Sequence, residues 1–213
     1  MIGGERMPAT ISGTLLEHAR VACNRCIADG KSGLVFTTGD NNYSASAMIA
    51  YILSIAATEA FMNEVASLNH HWKHDAKSKA LLEEIAEIDS PLDKCSELPL
   101  KLWGKKLDMS RPPYQDFYHL VKIRNDIIHY QMDSSKYAKD YLQYLGNRNV
   151  LIGPPGSFGF GHLDPILNTK AARWAYNTAC RMARQLIEMA QDETTPFIKE
   201  NLFELRSNFE EIP

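Results

Sequence analysis

Three polar residues with the side chains needed for acid–base chemistry lie within six positions of the chain: Arg124, Asn125 and His129. Imidazole titrates near neutral pH, so His129 is a candidate general acid or base. A guanidinium group holds an oxyanion through two hydrogen bonds and stabilises growing negative charge, which is the role we assign to Arg124. Asn125 is placed to orient His129 or the bound anion. The stretch therefore predicts proton transfer at an anionic group.

A predicted helix over residues 114–131 must position these side chains. At about 100° per residue its apolar residues fill one broad arc, and Arg124 falls inside that arc. A charge on an apolar face is costly unless it is paired, so Arg124 predicts an acidic or amide partner. Arg124 and His129 differ by about 140° around the helix. Either the long arginine side chain swings round, or two copies of the motif combine across a dimer.

A second predicted helix, starting at Ser44 or Ser46 and ending near residue 68, offers the partner for Arg124. Its apolar stripe consists of Ile49, Ile52, Leu53, Ala56 and Ala60. Asn63 lies within this stripe and Glu59 at its edge, one helical turn apart. We expect Glu59, with help from Asn63, to pair with Arg124. The alternative is a purely structural ion pair. If the pair is buried, removing Glu59 should cost roughly 3–5 kcal/mol.

The remaining pattern predicts an all-α fold, because strands and helices do not alternate along the chain. Further helices are expected over residues 11–27, 72–88, 98–107, 134–145, 169–189 and 196–209. We expect a helical bundle with a long Gly/Pro-rich loop at 146–165, before its last core helix. The expected domain organisation is an N-terminal helix and loop packed on the core (1–43), the bundle (44–190) and an acidic C-terminal extension (191–213).

The run Arg124-Asn125-Asp126-Ile127-Ile128-His129 resembles the signature of the HEPN superfamily, in which an arginine and a polar residue precede a histidine on one helix. Residues 57–64 are similar to that family's first core helix, and residues 171–175 to its last. The resemblance spans residues 44–190, about two thirds of the chain. In some toxin members a tyrosine two positions after the histidine is modified by a partner enzyme. Here that position is Gln131, and the neighbouring Tyr130 is a supporting residue.

This resemblance implies an antiparallel helical bundle that dimerises and brings two Arg/His motifs to a shared cleft. Many members are metal-independent endoribonucleases of toxin–antitoxin, phage-defence and RNA-processing systems, whereas others are non-catalytic binding modules. For the nuclease, the implied catalytic residues are Arg124, Asn125 and His129, with Glu59, Asn63 and Tyr130 in support. The implied partners are RNA, a second copy of the chain, and an antitoxin or defence-system protein. No cofactor or metal is implied.

Composition narrows the class of protein. The chain has 213 residues, 45% hydrophobic and 23% charged, with net charge −3. These values exclude a disordered chain, a collagen and a disulfide-stapled miniprotein. They also argue against a nucleic-acid binder that works by bulk charge, so any RNA site must be local. Residues 101–148 carry nine Lys/Arg against five Asp/Glu. This surplus indicates either a basic face or, more commonly, a solvated helix face.

Location and compartment are expectations drawn from the apolar pattern. The longest apolar run, residues 45–57, is shorter than the ~20 residues that a membrane span needs and predicts a buried helix. No segment of the signal-peptide kind begins the sequence, so we expect a cytoplasmic protein without membrane contact. The four cysteines are then free thiols.

Other constellations are weaker. His70 and His74 have the four-residue spacing of two metal ligands on a helix, which leaves a metal-dependent hydrolase as a third hypothesis. A helix–helix junction is the commoner explanation. Cys23 and Cys26 form a lone CxxC pair, which predicts packed or half-exposed thiols rather than a zinc site. His18, His119 and His162 have no evident partners in the sequence.

Overall fold

The computed structural model describes residues 10–31, 42–73, 75–129, 135–152, 161–190 and 209–213. Within these ranges the chain is all helical, with seven α-helices, one short 3-10 helix and no β-strand. The helices are α1 (Ile11–Lys31), α2 (Asn42–Lys73), α3 (Ala76–Ala86), α4 (Pro91–Trp103), α5 (Tyr114–Ile128), α6 (Ser135–Gly146) and α7 (Thr169–Ala190). The 3-10 helix spans Gly161–Ile166. The predicted all-α class is confirmed.

Helix α2 is the centre of the bundle and, at 32 residues, is about 48 Å long. It contacts α1 along its length, and also α3, α4, α5 and α7. Helix α7 packs against α1, α4 and α5. The backbone N–H of Ser12, in the first turn of α1, donates to Glu64 of α2 at 3.0 Å. The two longest helices, α2 and α7, pack against each other, and α5 packs against both of them.

The buried face of α2 is not the predicted stripe. The fully buried side chains include Tyr51, Ile55, Phe61 and Met62, whereas Ile49, a member of the predicted stripe, is 46% exposed. The apolar residues of α2 are distributed around most of its circumference, so the sequence pattern does not indicate which face is buried. Tyr51 and Phe61 are fully buried, since large aromatic side chains remove much apolar surface from water.

Part of α2 also has the length and hydropathy of a membrane-spanning helix. This stretch is Ala45–His70, and 56% of its most apolar window is buried inside the fold. A core helix passes the same test of length and composition, and burial among neighbouring helices is what the sequence pattern predicts.

Helix α4 begins seven residues before its predicted start. Ser90 caps it by accepting a hydrogen bond from the Asp93 N–H at 3.3 Å, and Pro91 takes the first helical position. Proline fits there because the first N–H groups of a helix have no helical partner. The helix ends at Gly104, which adopts the left-handed conformation at φ 67°. Pro91 thus starts α4, whereas α3 already ends at Ala86.

Residues 209–213 lie against the bundle and are called here the C-terminal segment. Phe209 is fully buried and meets Phe61 of α2 edge-to-face, with ring centroids 5.1 Å apart. The Asn177 side chain on α7 donates to the Ile212 carbonyl at 2.9 Å and accepts from the Ile212 N–H at 2.8 Å. The predicted helix over 196–209 lies outside the described residues, except Phe209, which is not helical. The divisions at 43 and 191 stay predictions.

Candidate functional site

The three predicted catalytic residues lie at the C-terminal end of α5, and together we call them the α5 motif. Arg124 is in the last helical turn and its side chain is 21% exposed. Asn125 is exposed, and its backbone carbonyl accepts a hydrogen bond from the N–H of His129 at 2.8 Å. His129 is the exposed residue that closes the helix. The imidazole and the amide are therefore open to solvent, while the guanidinium is partly enclosed.

Helix α5 is anchored by its other face. Phe117, Leu120 and Ile123 are fully buried in the core. Ile127 is half-buried and Ile128 is 50% exposed, so the apolar arc is narrower at this end than its pattern predicts. Arg124 consequently lies at the margin of the buried face.

The structure brings Arg124 and Glu59 together, as expected. A terminal nitrogen of Arg124 lies 3.8 Å from Oε2 of Glu59, whose side chain is 31% exposed. At this separation and exposure the contact is a solvent-screened ion pair, not a buried one. The cost of 3–5 kcal/mol expected for removing a buried partner therefore does not apply.

Asn63 does not support Arg124. Its side chain is exposed, and its amide oxygen accepts a hydrogen bond from Nζ of Lys94 at 3.0 Å. Lys94, on α4, is a buried residue whose charge needs such an acceptor. Asn63 thus links α2 to α4. Tyr130, the other supporting residue, lies outside the described residues.

The sequence missed a cluster beside the α5 motif, which we call the Asp126 cluster: Asp126, Tyr141 and His162. Nε2 of His162, on the 3-10 helix, lies 3.5 Å from Oδ2 of Asp126. The two side chains are only 10% and 12% exposed. Burial raises the pKa of Tyr141, and the Asp126 carboxylate raises it further. The only available signal was the polar Asp126 inside the motif, because His162 is 36 positions away.

A second polar cluster lies at the other end of α5 and is called the Asp116 cluster: Asp116, Tyr144, Arg148 and Arg181. The buried Asp116 carboxylate accepts a hydrogen bond from the Tyr144 hydroxyl at 2.8 Å and pairs with Nε of Arg148 at 3.0 Å. Arg181 of α7 lies 3.7 Å away. This cluster joins α5, α6 and α7 through charge-assisted contacts.

His119 extends this cluster, although it has no evident partner in the sequence. Its ring stacks on Tyr144 with centroids 3.8 Å apart. Burial lowers the pKa of His119 to about 4, and the positive charges of Lys122 and Arg148 act in the same direction. His119 is therefore neutral near pH 7.

Most described basic residues of the surplus at 101–148 lie in ion pairs. Arg111 lies 2.8 Å from Asp108, and Lys122 lies 3.7 Å from Asp140. Lys101, Arg124 and Arg148 also have acidic partners. These contacts favour solvated, paired helix faces over one continuous basic face.

The remaining candidates take ordinary structural roles where the chain is described. Nδ1 of His70 lies 3.2 Å from the Ser78 hydroxyl, and His74 lies outside the described residues. Within the described part of the chain, no group of three His, Cys, Asp or Glu side chains is placed to hold a metal. Cys23, Cys26, Cys95 and Cys180 are buried thiols, and none of them forms a disulfide. Burial raises the pKa of Cys23 to about 11 and that of Cys180 to about 12.

Comparison with known proteins adds no assignment to this geometry: no family model, curated protein or solved structure matches the chain.

Proposed function

We propose that this chain is a HEPN-like, metal-independent endoribonuclease whose reaction is carried by the α5 motif. The observation that supports the proposal best is that the exposed His129 ends the same helix that carries Arg124, and that Glu59 lies beside the Arg124 guanidinium while leaving it partly open to solvent. Because His129 is exposed and Arg124 is partly exposed, a large anionic substrate can reach both side chains. The contact with Glu59 restricts the Arg124 side chain, which limits the entropy lost when a phosphate binds to it.

RNA supplies its own nucleophile in the proposed reaction. The 2′-oxygen attacks phosphorus and loses its proton, the bond from phosphorus to the 5′-oxygen breaks, and that oxygen gains a proton. The products are a 2′,3′-cyclic phosphate and a 5′-hydroxyl. His129 transfers a proton, Arg124 neutralises charge on the non-bridging oxygens, and Asn125 orients the phosphate or His129.

A homodimer is part of this proposal. Arg124 and His129 point about 140° apart on a regular helix, so a second copy can supply the residue that one chain presents poorly. The RNA substrate, and an antitoxin or defence protein as regulator, are extensions of the same proposal.

The alternative is a non-catalytic HEPN-like interaction module. The ion pair between Arg124 and Glu59 favours it, because a guanidinium held by a carboxylate is already partly neutralised. In that case the exposed Asn125, Ile128 and His129 would form a binding surface for a protein partner.

An RNA cleavage assay in EDTA separates the two. Wild type is compared with His129→Ala on structured and unstructured RNAs, and the product ends are mapped. We expect wild type to leave cyclic phosphates and His129→Ala to lose about 10²–10⁴-fold in rate. His18→Ala, which removes an exposed histidine on α1, is the matched control and should cleave normally. No wild-type cleavage on any RNA would favour the interaction module.

A further inference from the structure

We propose that a cleft beside α7 binds a small molecule that carries a diphosphate, and that Arg181 and Arg184 hold one of its phosphates. The cleft, called here the α7 cleft, is a cavity of about 300 Å³ between α7 and the turn at Pro112 and Pro113. Small-molecule sites in proteins begin at about this size. Pro113 precedes α5, whereas the α5 motif lies at the far end of that helix, which is about 22 Å long. The α7 cleft is therefore separate from the proposed ribonuclease site and does not depend on it.

The two arginines of the α7 cleft converge on one anion. Arg181 and Arg184 lie three positions apart on α7, so their side chains are neighbours on one face of the helix. Both contact the carboxylate of Glu211 in the C-terminal segment. Guanidinium groups bind carboxylates and phosphates with the same planar set of N–H donors. Glu211 thus occupies a position in which a phosphate oxygen would meet both guanidinium groups.

The donors of Arg181 are incompletely used inside the fold. Within the described residues its guanidinium makes a single hydrogen bond, from Nη2 to the Thr178 hydroxyl at 3.4 Å. The nearest carboxylate oxygens of Asp116 and Glu211 lie at 3.7 Å and 3.6 Å, which is beyond hydrogen-bond distance. The Arg181 side chain is 38% exposed and lines the α7 cleft. It can therefore donate to an incoming anion without losing a short hydrogen bond.

A second cavity indicates that the ligand carries more than one phosphate. This cavity has a volume of about 370 Å³ and shares the walls Pro112, Pro113 and Gln185 with the α7 cleft. Lys106 and Arg111 line it on the far side of that shared wall. Over both cavities five Lys/Arg side chains stand against three Asp/Glu side chains. A diphosphate matches this distribution, because each of its phosphates then meets a separate group of basic residues.

The competing explanation is that the two arginines only clamp the C-terminal segment. That segment has other anchors, since Phe209 is buried and Asn177 binds the backbone of Ile212. The two explanations differ in what they predict for Glu211→Gln. If Glu211 occupies an anion site, removing its charge opens the site and strengthens anion binding. If Glu211 is only clamped, there is no anion binding to strengthen.

Isothermal titration calorimetry of the full chain with pyrophosphate, in a buffer of low and matched ionic strength, tests the proposal. We expect wild type to bind pyrophosphate with a Kd of about 1 mM or tighter. Glu211→Gln should bind at least about threefold more tightly, because a competing carboxylate is removed. Arg184→Gln should bind about tenfold or more weakly, because a charge-assisted hydrogen bond to the phosphate is lost.

Lys79→Gln and Glu83→Gln are the matched controls. They make the same changes of net charge at an exposed ion pair of α3, and neither residue lines either cavity. Both should bind pyrophosphate like wild type, which separates a local site from an effect of net charge. Thermal melting followed by circular dichroism checks that each variant is folded.

Arg111→Gln tests the second phosphate position. The Arg111 side chain is 74% exposed, so its replacement leaves the core intact. We expect this variant to bind pyrophosphate about threefold more weakly, because a solvent-screened charge is lost, and to bind inorganic phosphate like wild type. If Arg184→Gln does not fold, the gain in Glu211→Gln and the loss in Arg111→Gln decide the question.

Three outcomes would overturn the site. One is the absence of pyrophosphate binding at up to about 10 mM in both wild type and Glu211→Gln. Another is weaker binding by Glu211→Gln than by wild type, and the third is unchanged binding by a folded Arg184→Gln. Unchanged pyrophosphate binding by Arg111→Gln would overturn the assignment to a diphosphate. Because the measurement is binding and not RNA cleavage, failure of this inference is distinguishable from failure of the proposed function.

Discussion

The contact between Arg124 and Glu59 contributes differently to the stability of the fold and to the proposed function. At 3.8 Å, with both side chains in partial contact with solvent, the pair gains little net free energy. The contact still restricts where the guanidinium can point. The carboxylate therefore matters more for the position of Arg124 than for the stability of the fold.

Glu59→Gln is expected to separate these effects. It should lower the free energy of unfolding by about 1 kcal/mol or less, which shifts the melting temperature by about 2–4 °C in a chain of this size. RNA cleavage should fall by about tenfold, because a misdirected guanidinium no longer meets the phosphate. Thermal melting and cleavage rates measure the two quantities.

Glu83→Gln serves as the control, because Glu83 is a more exposed acidic residue on α3 and lies 3.9 Å from Lys79. It should change neither quantity. A loss of stability near 3 kcal/mol in Glu59→Gln would instead mean that Arg124 is effectively buried.

The sequence predicts one of these residue contacts and misses another for a physical reason. Arg124 has an unfavourable position on an apolar arc, and that cost points to a carboxylate on a neighbouring helix. His162 carries no such local signal, because its partner Asp126 is an ordinary polar residue on α5. Only the tertiary approach of the 3-10 helix to α5 defines that pair.

Among the helices, α5 is held at its two ends by different chemistry. The Asp116 cluster joins its first turns to α6 and α7, and the ring of His119 stacks on Tyr144 of α6. The last turn of α5 is fixed by Glu59 and by the Asp126 cluster. Substitutions in the Asp116 cluster should therefore weaken the packing of α5 against α6 and α7 without changing a residue of the α5 motif.

His119 makes this helix contact dependent on pH. Its pKa is about 4 in the folded chain, below the ordinary value of about 6.5, so the unfolded chain binds the extra proton between these values. Stability should therefore be complete above pH 6.5 and decline as pH falls towards 4. The expected loss between pH 7.5 and pH 5 is about 2 kcal/mol.

Urea unfolding at both pH values measures this loss. His119→Gln should show a smaller change with pH than wild type, even if it is less stable at pH 7.5. Asp116 and Asp140 oppose the shift, and Lys122 and Arg148 promote it. Equal pH dependence in the variant and wild type would show that His119 can accept a proton inside the fold.

Helix α2 shows what a pattern leaves undetermined. Its existence follows from a long apolar run, but its buried face does not, because apolar side chains occur around most of its circumference. Burial of Tyr51 and Phe61 selects a face that exposes Ile49. Asn63 consequently turns towards Lys94 of α4 rather than towards Arg124.

At the scale of the whole molecule, the helical class could be predicted because strands and helices do not alternate along the sequence. The order of the helices follows from their breaks at glycine and proline, such as Ser90-Pro91. The way in which α5, α6 and the 3-10 helix converge depends on contacts between residues far apart in sequence. Residue spacing alone does not encode that convergence.

Assembly decides whether one chain can complete the proposed site. Arg124→Ala and His129→Ala are each expected to be inactive alone. If a site takes its arginine from one copy and its histidine from the other, half of the sites in a mixed dimer are intact. Random exchange of subunits should then restore about a quarter of wild-type cleavage.

The measurement is cleavage after the two variants are mixed, with the mass of the complex followed by light scattering. His18→Ala mixed with wild type is the control and should keep full activity. A dimer that forms without any recovery would mean that Arg124 and His129 of the same chain act together.

The contact between Asn177 and the C-terminal segment has a consequence for which substitutions the chain tolerates. Both hydrogen bonds of Asn177 are made to the backbone carbonyl and N–H of Ile212, and neither involves the Ile212 side chain. Many apolar residues can therefore replace Ile212, whereas proline cannot, because it has no N–H to offer. Asn177 has far less freedom: aspartate accepts but does not donate, and leucine does neither. Position 212 should therefore tolerate many more substitutions than position 177.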